Sequence, residues 1–171
     1  MREAGCAEVL IGFESPGDAA LDGVELKRNW KYARRAEYRE AIRAIQSHGI
    51  RVNACFVLGL DGHGPGVFDE VFGFVAESLP YDVQVTVPTP FPGTPFYEQL
   101  KREGRLLRER AWDHCTLFDV NFKPRGMSVE ELRAGFRSLI VRLYGDDFTR
   151  RRRDHFRRTW IHQYRRRREA A

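Results

Sequence analysis

Three short runs alternate between apolar and polar positions: Glu8-Val9-Leu10-Ile11-Gly12-Phe13-Glu14, Ile50 to Gly59, and Val83-Gln84-Val85-Thr86-Val87. A period of two predicts β-strands. Between the first two runs, Tyr38, Ala41, Ile42 and Ile45 keep helical spacing and Gly49 follows as a stop, which predicts a helix around 38–48. Between the second and third, Pro65 can open a helix carrying Val67, Phe68, Val71, Phe72, Val75 and Leu79, which Pro80 ends. Strand, helix, strand, helix, strand at this spacing reads as consecutive parallel βαβ units with right-handed crossovers. Downstream, Pro95 begins a helix with Phe96, Tyr97 and Leu100, and Gly104 stops it. Ser128-Val129-Glu130-Glu131 has the form of a capping box. Behind it, Leu132, Phe136, Leu139, Ile140 and Leu143 repeat as an apolar helical face, read as packing.

The strand faces differ. In the second run Val52, Ala54, Phe56 and Leu58 share a face suited to packing under helices, while Arg51, Asn53, Cys55, Val57 and Gly59 share the other. Val83, Val85 and Val87 likewise oppose Gln84 and Thr86, and Val9, Ile11 and Phe13 oppose Gly12 and Glu14. A parallel sheet covered on both faces is normally apolar throughout. The partly polar face therefore implies either a polar ligand inside an open barrel or one solvent-washed face of a small antiparallel sheet.

Composition narrows the class. With 171 residues, 42% hydrophobic and 31% charged, the chain suits one domain or one domain plus an appendage, and no stretch of transmembrane length occurs. Nothing of signal-peptide form follows Met1, and Cys6, Cys55 and Cys115 are odd in number and far apart, so a reducing, cytoplasmic setting is expected. Zinc-ligand spacing is absent among the cysteines and histidines. The net charge of +5 is unevenly spread: residues 150–171 hold ten of the 29 basic residues and two of the 24 acidic ones. Binding to anionic partners is therefore expected at the tail, through Arg151, Arg152, Arg157, Arg158, Trp160, Arg165 and Arg166. Phe156, Trp160 and Tyr164 fall on one helical face there. Such a helix suits an anionic membrane surface, less so nucleic acid, or an acidic partner helix; alternatively its aromatics dock on the chain's own domain.

Ligand sites on parallel α/β sheets lie at the carboxyl ends of the strands. The ends here are Glu14-Ser15-Pro16-Gly17, Gly59-Leu60-Asp61-Gly62-His63-Gly64, and Pro88-Thr89-Pro90-Phe91-Pro92-Gly93-Thr94-Pro95. No phosphate loop, GxGxxG or ordered Ser-His-Asp set is present. Taken together, Val9 to Pro16, Ile50 to Gly62 and Thr86 to Tyr97 resemble the fourth, fifth and sixth strands, with their following loops, of the radical S-adenosylmethionine barrel. The nearest resemblance is to the group carrying an N-terminal cobalamin-binding domain, whose relatives include hopanoid methylases and the anaerobic porphyrin ring cyclase. Trp112 and Val120 to Met127 resemble the accessory domain that follows the barrel in part of that group.

The resemblance implies the C-terminal half of a partial TIM-type (β/α) barrel over 1–98, a helical accessory domain over 99–148 closing over the mouth, and an arginine-rich helix over 149–171. It further implies that Glu14, with Ser15 beside it, contacts the ribose or methionine part of S-adenosylmethionine. Val57 and Gly59 would flank the adenine, Val87 and Pro88 would offer backbone contacts, and Phe91, Pro92, Gly93 and Thr94 would line the substrate mouth. The family's [4Fe–4S] cluster needs a CxxxCxxC loop, which this sequence lacks, and the cobalamin domain and first three strands are expected to be missing as well. No catalytic or metal-ligating residue is assigned. The expectation is a partial S-adenosylmethionine site, inactive alone, whose open sheet edges invite a separate N-terminal half carrying the cluster. The alternatives are a non-catalytic module or a gene fragment whose tail binds membrane or nucleic acid.

Overall fold

The alternating runs form strands because each has one face to bury. In the computed structural model, which describes residues 1–17 and 33–169 (side chains of 35 and 166–169 excepted), they are β1 (Glu8–Glu14), β2 (Arg51–Val57) and β3 (Asp82–Thr86). All pair in parallel in the order β1-β2-β3, with Gly12 opposite Cys55 and Cys55 opposite Gln84. The second strand is shorter than its apolar run. Leu58 still donates its N–H to the Thr86 carbonyl at 2.8 Å, and Gly59 then turns away at φ +91°.

The crossover helices are α1 (Tyr38–Ser47) and α2 (Val67–Ser78). Helix α1 ends where Gly49, at φ +75°, donates to Gln46. Helix α2 ends one residue early because Leu79 itself takes the left-handed conformation. Both cover one face of the sheet, burying Val52, Ala54, Phe56, Val83 and Val85. Phe13, Tyr38, Phe56 and Phe74 meet there as an aromatic cluster, with ring centroids 4.6–6.5 Å apart. The solvent-washed alternative needed an antiparallel sheet, and the pairing is parallel throughout. The opposite face is nonetheless open: Leu10 is exposed, and Gly12, Glu14, Asn53, Cys55, Val57, Gln84 and Thr86 are half-buried.

Helix α3 (Pro95–Arg102) starts at Thr94, whose hydroxyl accepts the Tyr97 N–H at 3.3 Å. Helix α4 (Val129–Tyr144) opens with the capping box expected of Ser128 and Glu131. Its Leu132, Phe136, Leu139 and Leu143 join the same apolar core as the strands. Helix α5 (Asp146–Glu169) begins four residues before the arginine run and packs against α1, α4 and β3. No helix among the described residues is long and apolar enough to cross a membrane.

Candidate functional site

The carboxyl end of the sheet carries the features that sequence pointed to, and one it did not. The register of β1 against β2 shifts between Gly12 and Glu14, and Glu14 takes a left-handed φ of +64°, uncommon for a residue with a side chain. The irregularity aims Glu14 over the open face, where its charge reaches Cys55. Burial and that charge push the Cys55 thiol up, away from the thiolate. Its Sγ lies 4.0 Å from both Asn53 Oδ1 and Gln84 Oε1.

Just beyond Glu14 the chain is locked. Ser15 is fully buried, and its Oγ accepts the Gly17 N–H at 3.2 Å. The same oxygen lies 3.0 Å from His63 Nε2, 48 residues away in the loop after β2. His63 Nδ1 accepts two backbone N–H groups, from Gly59 at 3.1 Å and Leu60 at 3.2 Å. That pattern assigns the proton to Nε2, which donates to Ser15. Burial lowers the imidazole pKa to about 4. A serine beside a histidine invites a nucleophile-and-base reading, but a protonated Nε2 cannot take the hydroxyl proton. The pair ties the end of β1 to the end of β2.

Two further contacts fix the loop after β2. The Gly126 backbone lies so closely against the His63 carbonyl that a Cβ there would clash with it. Asp61 accepts from Arg105 and, at 2.9 Å, from Arg125, while Glu103 bridges the same two guanidinium groups. Desolvation would raise the Asp61 carboxyl, but these hydrogen bonds outweigh it and hold the group below the usual carboxylate range.

Several expected ligand contacts have other employment. A Cβ on Gly59 would stand 2.8 Å from Leu132 and 3.2 Å from Phe122, so this glycine makes room for the segment around α4. The Val87 N–H donates to the Leu117 carbonyl at 2.8 Å and is not free for an adenine. Thr94 spends its hydroxyl on capping α3 and on the Phe91 carbonyl at 2.7 Å. Ser15 faces His63 and not the open face. Val57 and Thr86 stand opposite each other on that face. Pro88 and Pro92 are half-buried, whereas Phe91 and Gly93 are exposed around the third strand end. The histidine lock was missed because nothing local in the glycine-bearing loop distinguishes His63 from a surface histidine.

The tail separates into two sides. Arg152, expected to meet an anionic partner, is fully buried: its Nη2 donates to the Leu143 carbonyl at 3.2 Å, and Nε and Nη1 have no hydrogen-bond partner. The turn after α4 folds α5 back so that this position faces inward. Phe156 packs edge-on against Tyr81 at 5.2 Å, and the Trp160 indole fills the space where Gly49 has no side chain. Arg151, Arg157, Arg158 and Arg165 are exposed, and the Arg166 side chain lies outside the described residues. Since Gly49 and Tyr81 precede β2 and β3, α5 sits at the amino end of the sheet, opposite the candidate site.

Comparison with known proteins finds relatives over most of the chain. Residues 94–170 match the model of a domain of unknown function (DUF4070). The chain is 26% identical over 141 residues to the bacteriochlorophyllide d C-12(1)-methyltransferase of Chlorobaculum tepidum, covering 82% of this chain and 29% of that protein. It is 30% identical over 109 residues to the hopanoid C-2 methylase of Rhodopseudomonas palustris, covering 64% and 20%. Over 143 residues it is 25% identical to the anaerobic magnesium-protoporphyrin IX monomethyl ester cyclase of Cereibacter sphaeroides, covering 84% and 22%. The chain thus spans less than a third of the length of these relatives. On these matches it is similar to the C-terminal part of cobalamin-binding radical S-adenosylmethionine enzymes, the family its strand ends resemble.

Proposed function

We propose that this chain forms one wall of an S-adenosylmethionine cradle and part of the mouth through which a substrate reaches it. The observation that carries the reading is the open, partly polar sheet face that ends in Glu14, whose backbone takes a left-handed conformation next to the Ser15–His63 lock. Glu14 would accept from the hydroxyls of the ribose or from the amino group of the methionine part. Val57 and Thr86, half-buried side by side, would flank the adenine. Val87 would take part through its carbonyl, since its N–H is engaged by Leu117. The three parallel strands would then be part of a (β/α) barrel completed by chain from elsewhere.

The residues present fit the nucleoside better than they fit a cluster. Among the described residues no group of three or more His, Cys, Asp and Glu is placed to hold a metal ion, and the Cys55 thiol is biased toward its protonated form. No step is assigned through iron–sulfur or cobalamin chemistry on this chain; the cluster would be held by a segment or partner carrying CxxxCxxC, and cobalamin by a separate domain. S-adenosylmethionine bound here would supply a methyl group or, with a cluster from elsewhere, one-electron chemistry. The names of the relatives point to methylation or ring closure on a large carbon skeleton, and that extends to the assembled enzyme of which this chain would be a part.

The test is a nuclear magnetic resonance titration of the full chain with S-adenosylhomocysteine. The expected result is amide shifts confined to Glu14, Val57, Thr86 and Val87, abolished by Glu14→Gln. Shifts that survive Glu14→Gln, or that fall only on α5, would refute it.

A further inference from the structure

Helix α5 has a second face that the fold does not use. Its inward side is occupied by Arg152, Phe156 and Trp160, which pack against α4, Tyr81 and Gly49. Stepping along the helix at 100° per residue, Arg150, Arg157, Arg158, Ile161 and Arg165 fall on the opposite side, and all are exposed, while Tyr164 stays beside Trp160 with ring centroids 6.4 Å apart. Among the described residues none of these four arginines forms an ion pair. Cations elsewhere do find carboxylates, as in Arg39–Glu77, Arg51–Glu8 and Arg142–Asp69. Within the stretch the one acid is Asp154, which is half-buried.

We propose that this outward ridge of α5 docks the protein on an anionic lipid bilayer. Charge complementarity carries the argument. A row of unpaired guanidinium groups along one convex helix face meets a flat field of phosphates, and the density of positive charge is far above that of the rest of the chain. The apolar member of the ridge decides between polyanions. Ile161 is 40% exposed and set among the arginines. An aliphatic side chain finds no partner along a nucleic-acid backbone, but it does at the boundary of headgroups and acyl chains. The aromatic stripe visible in sequence is not the centre of the membrane face: Phe156 is buried against Tyr81, and Trp160, 37% exposed, lies over Gly49. Docking this way would leave the carboxyl end of the sheet, with Glu14, on the side away from the helix.

The experiment is flotation of the full chain with vesicles of phosphatidylcholine and phosphatidylglycerol, against vesicles of phosphatidylcholine alone. The variants are Arg157→Gln/Arg158→Gln/Arg165→Gln and, separately, Ile161→Ser. All four side chains are exposed, and circular dichroism checks that the fold is kept. We expect binding to the anionic vesicles alone, released by salt, and weakened on the order of 100-fold in the triple variant. Ile161→Ser should weaken it by a smaller factor. Equal binding to both vesicle types, a triple variant that binds like the parent, or tighter binding to a single-stranded RNA oligonucleotide than to the vesicles at the same salt would overturn the proposal.

Discussion

Protonating His63 should unlock the two strand ends, and the effect should be visible as pH-dependent stability. The imidazole titrates near 4 in the folded protein, against 6.5 when unperturbed. Between those values the unfolded chain binds the proton and the folded one does not, so stability falls as the pH falls. The contribution is fully present above pH 6.5 and is lost progressively toward pH 4. The whole gap corresponds to roughly 3 kcal/mol, of which about 2 kcal/mol should be lost between pH 7 and pH 5. The cause is geometric: protonated Nδ1 would point its hydrogen at the Gly59 and Leu60 N–H groups, which donate to that atom. Urea unfolding followed by tryptophan fluorescence at both pH values measures it. The control is His63→Gln, whose amide can still accept and donate but does not titrate. The wild type should lose about 2 kcal/mol more than the variant over this interval. Equal losses would show that His63 does not carry the effect, and the assigned lock would be wrong.

Two further outcomes test the packing around the site. Gly59→Ala places a Cβ 2.8 Å from Leu132 on a residue at φ +91°, and should cost about 2 kcal/mol or more in urea unfolding, with the midpoint shifted and the slope unchanged. Arg152→Met removes a buried guanidinium whose Nε and Nη1 make no hydrogen bond, Nη1 standing 4.0 Å from Asp82, while keeping the length of the side chain; thermal unfolding should show stability unchanged or raised, whereas Arg152→Ala, which leaves a cavity, should lower it by about 2–4 kcal/mol.

Much of this molecule was legible along the chain because its signals are local. Alternation within β1, β2 and β3 reports which side of each strand is covered, since side chains at i and i+2 share a face whatever lies beyond. The Ser128–Glu131 box is contained within three residues, so it forms wherever the helix forms. Consecutive strand–helix units leave few topologies, and the parallel order β1-β2-β3 agrees with them. The polar face carrying Glu14, Asn53, Cys55 and Gln84 was likewise visible as a pattern.

What each residue meets across the fold was not. Gly59 looked like an opening for a ligand and proves to be the seat of Leu132, 73 positions later in the chain. Val87 offered a backbone donor until the loop bearing Leu117 came to lie beside it. Arg152 was one arginine among ten until the turn after α4 faced it inward, and Phe156 and Trp160 became packing residues for the same reason. Ser15 and His63 meet because a parallel sheet brings successive strand ends side by side, and neither residue's neighbours in sequence announce the other. Periodicity and capping are short-range, so sequence alone determined the elements and their faces; partnerships across the sheet depend on how those faces pack, and only the tertiary structure decided them.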